Sequence, residues 1–69
     1  MTSLRFDFGR RLRELRKQAG LSQEELAERA QISVDFVSLI ERGINAPSFE
    51  TLARLSNSLG VPPRDLFDF

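Results

Sequence analysis

Between Leu21 and Gly43 the chain reads LSQEELAERAQISVDFVSLIERG. The side chains there that can do chemistry are donors, acceptors and charges: Gln23, Ser33, Asp35, Ser38 and Arg42. None is a nucleophile with a base beside it. The 69 residues include no histidine and no cysteine, so the commonest general base, the thiolate and the usual zinc ligands are all missing. The carboxylates are scattered along polar helix faces with no arrangement for proton transfer. Such a set suits recognition of another polar surface rather than turnover. No enzyme activity, metal, cofactor or small-molecule ligand is expected.

Two short helices must position this set. Ser22 can cap the first, with Glu25 three residues on as the reciprocal half of a capping box, and Ser33 can cap the second. Leu26, Ala27 and Ala30 make one apolar face and Val37 and Ile40 the other, with Ile32 in the turn between them. Ala27 is small enough to let two helix backbones approach closely. Two helices held at a steep angle by a short turn form a helix-turn-helix, whose second helix is shaped to enter a DNA major groove.

The rest of the chain supplies the frame. Leu4, Phe8, Leu12, Leu15 and Ala19 recur at helical spacing and predict helix 1 over about 4–19, ended by Gly20. Helix 2 should span about 23–30 and helix 3 about 34–42. The loop GINAP leads to Ser48, after which helix 4 carries Phe49, Leu52, Ala53, Leu55 and Leu59 inward and stops at Gly60. Pro63 suits the first turn of a short helix 5 over about 63–67. The expectation is an all-α, compact five-helix bundle forming a single domain over 1–69, with the helix-turn-helix at about 23–42. No strand, internal repeat or low-complexity tract is expected.

A chain this short builds one small core, and without cysteine it has no disulfide staple, so stability must come from helix packing and from dimerisation. No apolar run reaches membrane-spanning length and no signal peptide opens the chain, so the expected compartment is the cytoplasm, nucleoid-associated when bound to DNA. Formal net charge is zero and the isoelectric point about 6.2, which predicts weak non-specific DNA binding. The charge is nonetheless polarised. Residues 1–20 hold six basic residues against two acidic ones, and residues 21–69 hold four against eight.

The motifs LRELRKQAGLSQEELAERA, IERG and PSFETLARLSNSLGV resemble those of the phage lambda repressor and Cro family, also called the xenobiotic response element family, over nearly the whole chain. The resemblance implies a bundle that binds double-stranded operator DNA as a symmetric homodimer. It departs from the family at Gln31, where glycine is usual. A left-handed conformation there costs a non-glycine residue on the order of 1 kcal/mol.

Site residues follow from the same resemblance. Gln23 sits where the family touches the DNA backbone, and its N–H at a helix N-terminus is a phosphate donor. Val34, Asp35, Phe36, Ser38 and Leu39 sit where it reads bases, with Leu39 expected to be an exposed surface leucine, and the capping Ser33 before them counts among the DNA-binding residues. Asp35 fits either a cytosine amino group or the helix dipole, and Val34 fits a thymine methyl. Phe36 can pack across helices 2 and 3 or lie on the sugar-phosphate edge. Arg42 and Asn45 lie where the family meets phosphate, and Arg10, Arg11 and Arg13 of helix 1 can flank the same groove, though they cannot all face it. The family also pairs an arginine late in helix 1 with a glutamate near the end of helix 3, here Arg16 and Glu41.

Leu66, Phe67 and Phe69 make up the expected dimer interface, with Leu66 also able to close the core over helix 4. Against this stands a fold-back of Phe67 and Phe69 onto Leu4 and Phe8. The leading function is a transcriptional regulator acting as a homodimer on a palindromic operator. The alternatives are an antitoxin-type interaction module with accessory DNA binding, or a DNA-binding fragment of a longer regulator. The chain ending soon after helix 5 favours the regulator.

Overall fold

The fold, seen in a computed structural model that describes residues 3–69, is built from α1 (Leu4–Gln18), α2 (Gln23–Ala30), α3 (Val34–Glu41) and α4 (Phe49–Leu59). The chain closes with a five-residue 3₁₀ turn, Pro63–Phe67, in place of the expected fifth α-helix. Pro63 takes its first position, and Asp65 N–H donates to Pro62 O at 3.0 Å, the i→i+3 spacing of a 3₁₀ turn. No helix is long and apolar enough to cross a membrane.

Each α-helix starts on a serine. Ser3, Ser22, Ser33 and Ser48 are extended, and their hydroxyls accept from Phe6, Glu25, Phe36 and Thr51 N–H. At α2 the capping box is complete, with Ser22 N–H donating to the Glu25 carboxylate at 2.8 Å. That backbone bond, then the Ser22 hydroxyl, hold the Glu25 carboxyl below its ordinary value of 4.5.

Each α-helix also ends in one way, with the chain reversing through a left-handed residue. Gly20, Gly43 and Gly60 fill this place after α1, α3 and α4, and Gln31 fills it after α2 at φ 60°. The next N–H bonds back into the last turn each time: Leu21 to Arg16 O, Ile32 to Ala27 O, Ile44 to Leu39 O and Val61 to Ser56 O.

Phe8, Leu12, Leu26, Ile40, Leu55 and Leu66 lie at the centre of the core. The apolar stripe of α1 is shorter than its sequence suggests, because Leu4 and Ala19 are exposed. On α4 the inner face is Thr51, Leu55 and Ser56, with Leu52 and Leu59 half-buried. Phe49 points out at 86% exposure and Ala53 is also exposed, so neither belongs to the inner face. The two buried hydroxyls are satisfied locally. Thr51 bonds Ser48 Oγ at 3.1 Å, and Ser56 donates to Ala53 O at 3.0 Å.

Two helices approach closely at Gly9. A methyl group there would press into the carbonyl oxygens of Ile40 and Glu41, the latter at 2.7 Å. Glycine in a helix interior is destabilising by roughly 1 kcal/mol relative to alanine, so its presence marks a backbone contact between α1 and α3 that no side chain fits.

Candidate nucleic-acid interface

The exposed tip of α3 consists of Ser33, Val34 and Asp35. The turn through Gln31 aims it outward while Val37 and Ile40 anchor the opposite face in the core. Ser38 is half-buried one turn further on, and Arg42 caps the helix with its side chain in solvent. Phe36 is half-buried against the core, as the packing alternative for it required. Leu39 is also half-buried rather than exposed.

Behind this tip lies a charged network. Arg16 Nε donates to Glu41 Oε2 at 2.6 Å and Nη2 donates to Oε1 at 3.0 Å, a two-pronged pair. The third arm, Nη1, donates to Leu21 O at 2.9 Å. The side chains are only 10% and 3% exposed, so the pair is removed from solvent screening. Gln23 Nε2 also donates to Glu41 Oε1, at 3.0 Å. The residue expected at phosphate therefore has one amide hydrogen turned inward, leaving its second N–H and its carbonyl free. Nothing in the sequence pattern signals that bond, because it joins the start of one helix to the end of the next.

Arg13, Arg16, Gln23, Ser38, Glu41 and Arg42 line a polar cleft of about 390 Å³ between α1, α2 and α3. Arg42 Nε reaches Ser38 O at 3.4 Å, and its two terminal nitrogens make no hydrogen bond among the described residues. Asn45 does not join this cleft. Its N–H donates to Leu39 O at 3.3 Å, and it lines a different opening.

That opening is an apolar groove of about 180 Å³ lined by Leu4, Arg5, Phe8, Asn45, Ala46, Pro47, Leu52 and Phe67. The three aromatic and aliphatic residues of the tail behave differently from one another. Leu66 is wholly buried at 0% exposure and closes the core, so it cannot meet a second copy. Phe67 lies against Phe8 with ring centroids 5.2 Å apart and still shows 43% of its surface. Phe69 is 53% exposed. The tail is latched to α1 by Arg11, whose Nε donates to Asp65 O at 2.8 Å and whose guanidinium lies 3.8 Å from Glu14 and from Asp68. A basic residue with acidic residues near the end of the chain is a weak sequence signal, too weak to separate Arg11 from its neighbours. Among the described residues no cluster of acidic side chains is placed to hold a metal ion.

Comparison with known proteins fits this geometry. Residues 12–66 match the model of a family described as helix-turn-helix. The chain is 37% identical over 68 residues to control protein C.BamHI of Bacillus amyloliquefaciens, covering 97% of this chain and 84% of that protein. It is 47% identical over 58 residues to the HTH-type transcriptional regulator DdrOP3 of Deinococcus deserti, covering 84% of this chain but only 45% of the relative. The chain thus spans about half the length of that regulator. Among solved structures, the restriction-modification controller protein C.AhdI from Aeromonas hydrophila superposes with a TM-score of 0.89 at 41% identity, over 91% of this chain and 96% of that one.

Proposed function

Because this chain belongs to the Cro/C1-type helix-turn-helix family, we propose that it is a sequence-specific regulator of transcription that binds double-stranded DNA as a homodimer on a two-fold symmetric operator. The observation that carries the reading is the tip of α3. Ser33, Val34 and Asp35 are exposed there next to a cleft that presents Gln23 and Arg42. A helix N-terminus offering short side chains beside cations is the surface that base edges and flanking phosphates would meet.

The roles divide by chemistry. Gln23 and Arg42 bind backbone phosphate and set register, with Asn45 as a further contact from the loop. Val34, Asp35 and Ser38 read base edges, Val34 against a thymine methyl and Asp35 against a cytosine amino group. Ser33 caps the helix and faces the same groove. Phe36 supports the tip from its packed position. Two copies would place two such tips about 34–36 Å apart, one turn of the double helix. The exposed rings of Phe67 and Phe69 are the surface for that pairing. The share of DdrOP3 that is covered also suits a DNA-binding module of a longer regulator, and the same site would serve there.

Selection of bound sequences from random duplexes tests the proposal. A consensus with two-fold symmetry is expected. Gln23→Ala and Arg42→Ala should weaken binding to all sequences, while changes at Val34, Asp35 or Ser38 should alter the preferred sequence. Failure to enrich any duplex would overturn DNA recognition, and a consensus unmoved by Asp35→Ala would remove Asp35 from base readout.

A further inference from the structure

Four arginines lie close together on α1, at positions 10, 11, 13 and 16, and the structure separates them sharply. Arg10 lies 3.7 Å from Asp7. Arg11 is held by Asp65 O, Glu14 and Asp68. Arg16 is neutralised by Glu41. Arg13 has no ion pair among the described residues, and its side chain lines the cleft shared with Gln23, Ser38 and Arg42. It lies one helical turn before Arg16, so it sits on the same side of α1 as the buried pair.

The charge of this cleft follows from those pairings. The Arg16–Glu41 pair contributes no net charge, and its carboxylate already accepts from Arg16 and Gln23. Arg13 and Arg42 remain as two cations of its lining, one on α1 and one at the end of α3. Gln23, with one N–H unused, and Ser38 line the same cleft. A volume of about 390 Å³ is many times what one water needs, so the cleft is wide enough to admit a ligand group. Two cations and neutral donors in one cleft suit the two non-bridging oxygens of one phosphodiester, and Glu41, already paired, is the one acidic residue of the lining.

The geometry points to Arg13 as a phosphodiester contact supplied from outside the helix-turn-helix, closing on the same backbone phosphate as Arg42. The inference rests on the DNA-binding reading given above, and it adds α1 to the surface that touches DNA. It also assigns different work to neighbouring arginines: Arg11 holds the tail, Arg16 holds α3, and Arg13 holds the ligand.

The test measures equilibrium binding to the selected duplex across a range of salt concentrations, for the wild type, Arg13→Ala and Arg10→Ala. Arg13→Ala should weaken binding about tenfold near 0.1 M salt, the size of a charged hydrogen bond lost, and should lower the salt slope by roughly one unit. Arg10→Ala should leave the slope unchanged. Melting curves should show that both variants stay folded. Methylphosphonate placed at single backbone positions supplies a second readout. One position should weaken the wild type yet add nothing in Arg13→Ala. A wild type that binds no duplex would overturn the DNA reading and this inference with it. A wild type that binds, with Arg13→Ala matching its slope and its methylphosphonate profile, would overturn the assignment of Arg13 alone.

Discussion

Around the cleft between α1 and α3, no buried side-chain nitrogen or oxygen of the described residues lacks a partner, whereas the groove lined by Leu4, Phe8, Pro47, Leu52 and Phe67 offers mostly carbon to solvent. The cleft owes its form to the fold. Arg16, Glu41 and Gln23 hold one another in place, so the groups facing outward are oriented before any ligand arrives. The groove is tied only from its margins, by Arg5 donating to Ile44 O at 3.3 Å and Arg11 to Asp65 O at 2.8 Å. Phe67 touches Phe8 on one side and shows its other side to water, and Phe49 and Phe69 stand in solvent nearby in sequence to residues of the groove wall. The contrast separates two ways of preparing a surface. A polar site is ordered by buried charge, while an apolar one stays incomplete until a second molecule covers it.

The comparison can be broken most directly at its polar half. Replacing either Arg16 or Glu41 by alanine strands a charge in the interior, and about 3–5 kcal/mol of stability should be lost. In a domain of this size each kcal/mol moves the midpoint by roughly 4–8 °C, so thermal melting would show a large drop. A midpoint within a few degrees of the wild type would mean that the pair does not order the cleft.

The apolar half should respond in association rather than in folding. Phe67→Ala combined with Phe69→Ala should shift a dimer to a monomer in sedimentation at micromolar concentration and weaken operator binding. Because Phe67 also packs on Phe8, a loss of about 1 kcal/mol or more in stability is expected alongside. Phe69→Ala alone should dissociate the dimer with little change in melting. A wild type that sediments as a monomer at high concentration would assign the rings to the fold-back role alone.

A smaller effect sharpens the picture of the polar side. Gln31→Gly relieves the left-handed strain in the turn and should stabilise the fold by on the order of 1 kcal/mol, read as a higher midpoint. Operator preference should not change, because the turn geometry is already the one glycine would adopt. A fall in stability would show that the Gln31 side chain contributes more than its backbone costs.

Much of the fold is legible from the chain because local rules are obeyed. Ser22 with Glu25 announces the start of α2, and Gly20, Gly43 and Gly60 announce the ends of three helices. Even the irregular Gln31 is readable, since the place of a left-handed residue is fixed by the helix it ends. What escapes depends on distance in space. Phe49 falls three residues before Leu52 on one helical face, yet it sits in the first turn, beyond the reach of the core. Thr51 and Ser56 are polar by type and buried in fact, because each hydroxyl finds a partner within its own helix or at its cap and so enters the core without penalty. Leu66 is readable as the residue that closes the core, but the side of Phe67 that meets Phe8 and the side left to the groove are set only by the 3₁₀ turn. At the proposed interface, Gln23 is named from the family resemblance, but the bond that turns half of its amide inward requires the positions of α2 and α3 relative to one another.

The contact at Gly9 bears on how the molecule would meet a partner. With α1 and α3 touching backbone to backbone and pinned by Arg16 and Glu41, the span from Arg13 to the tip of α3 is a fixed calliper rather than a hinged pair of arms. A calliper does not fold when it closes. Its heat capacity of association would then reflect only the area covered on the duplex and at the dimer seam, with nothing added by the ordering of a segment. The missing methyl group at position 9 thus sets a thermodynamic character as well as a distance: a head of one shape, so that any change of form on binding a duplex would fall to the DNA rather than to the protein.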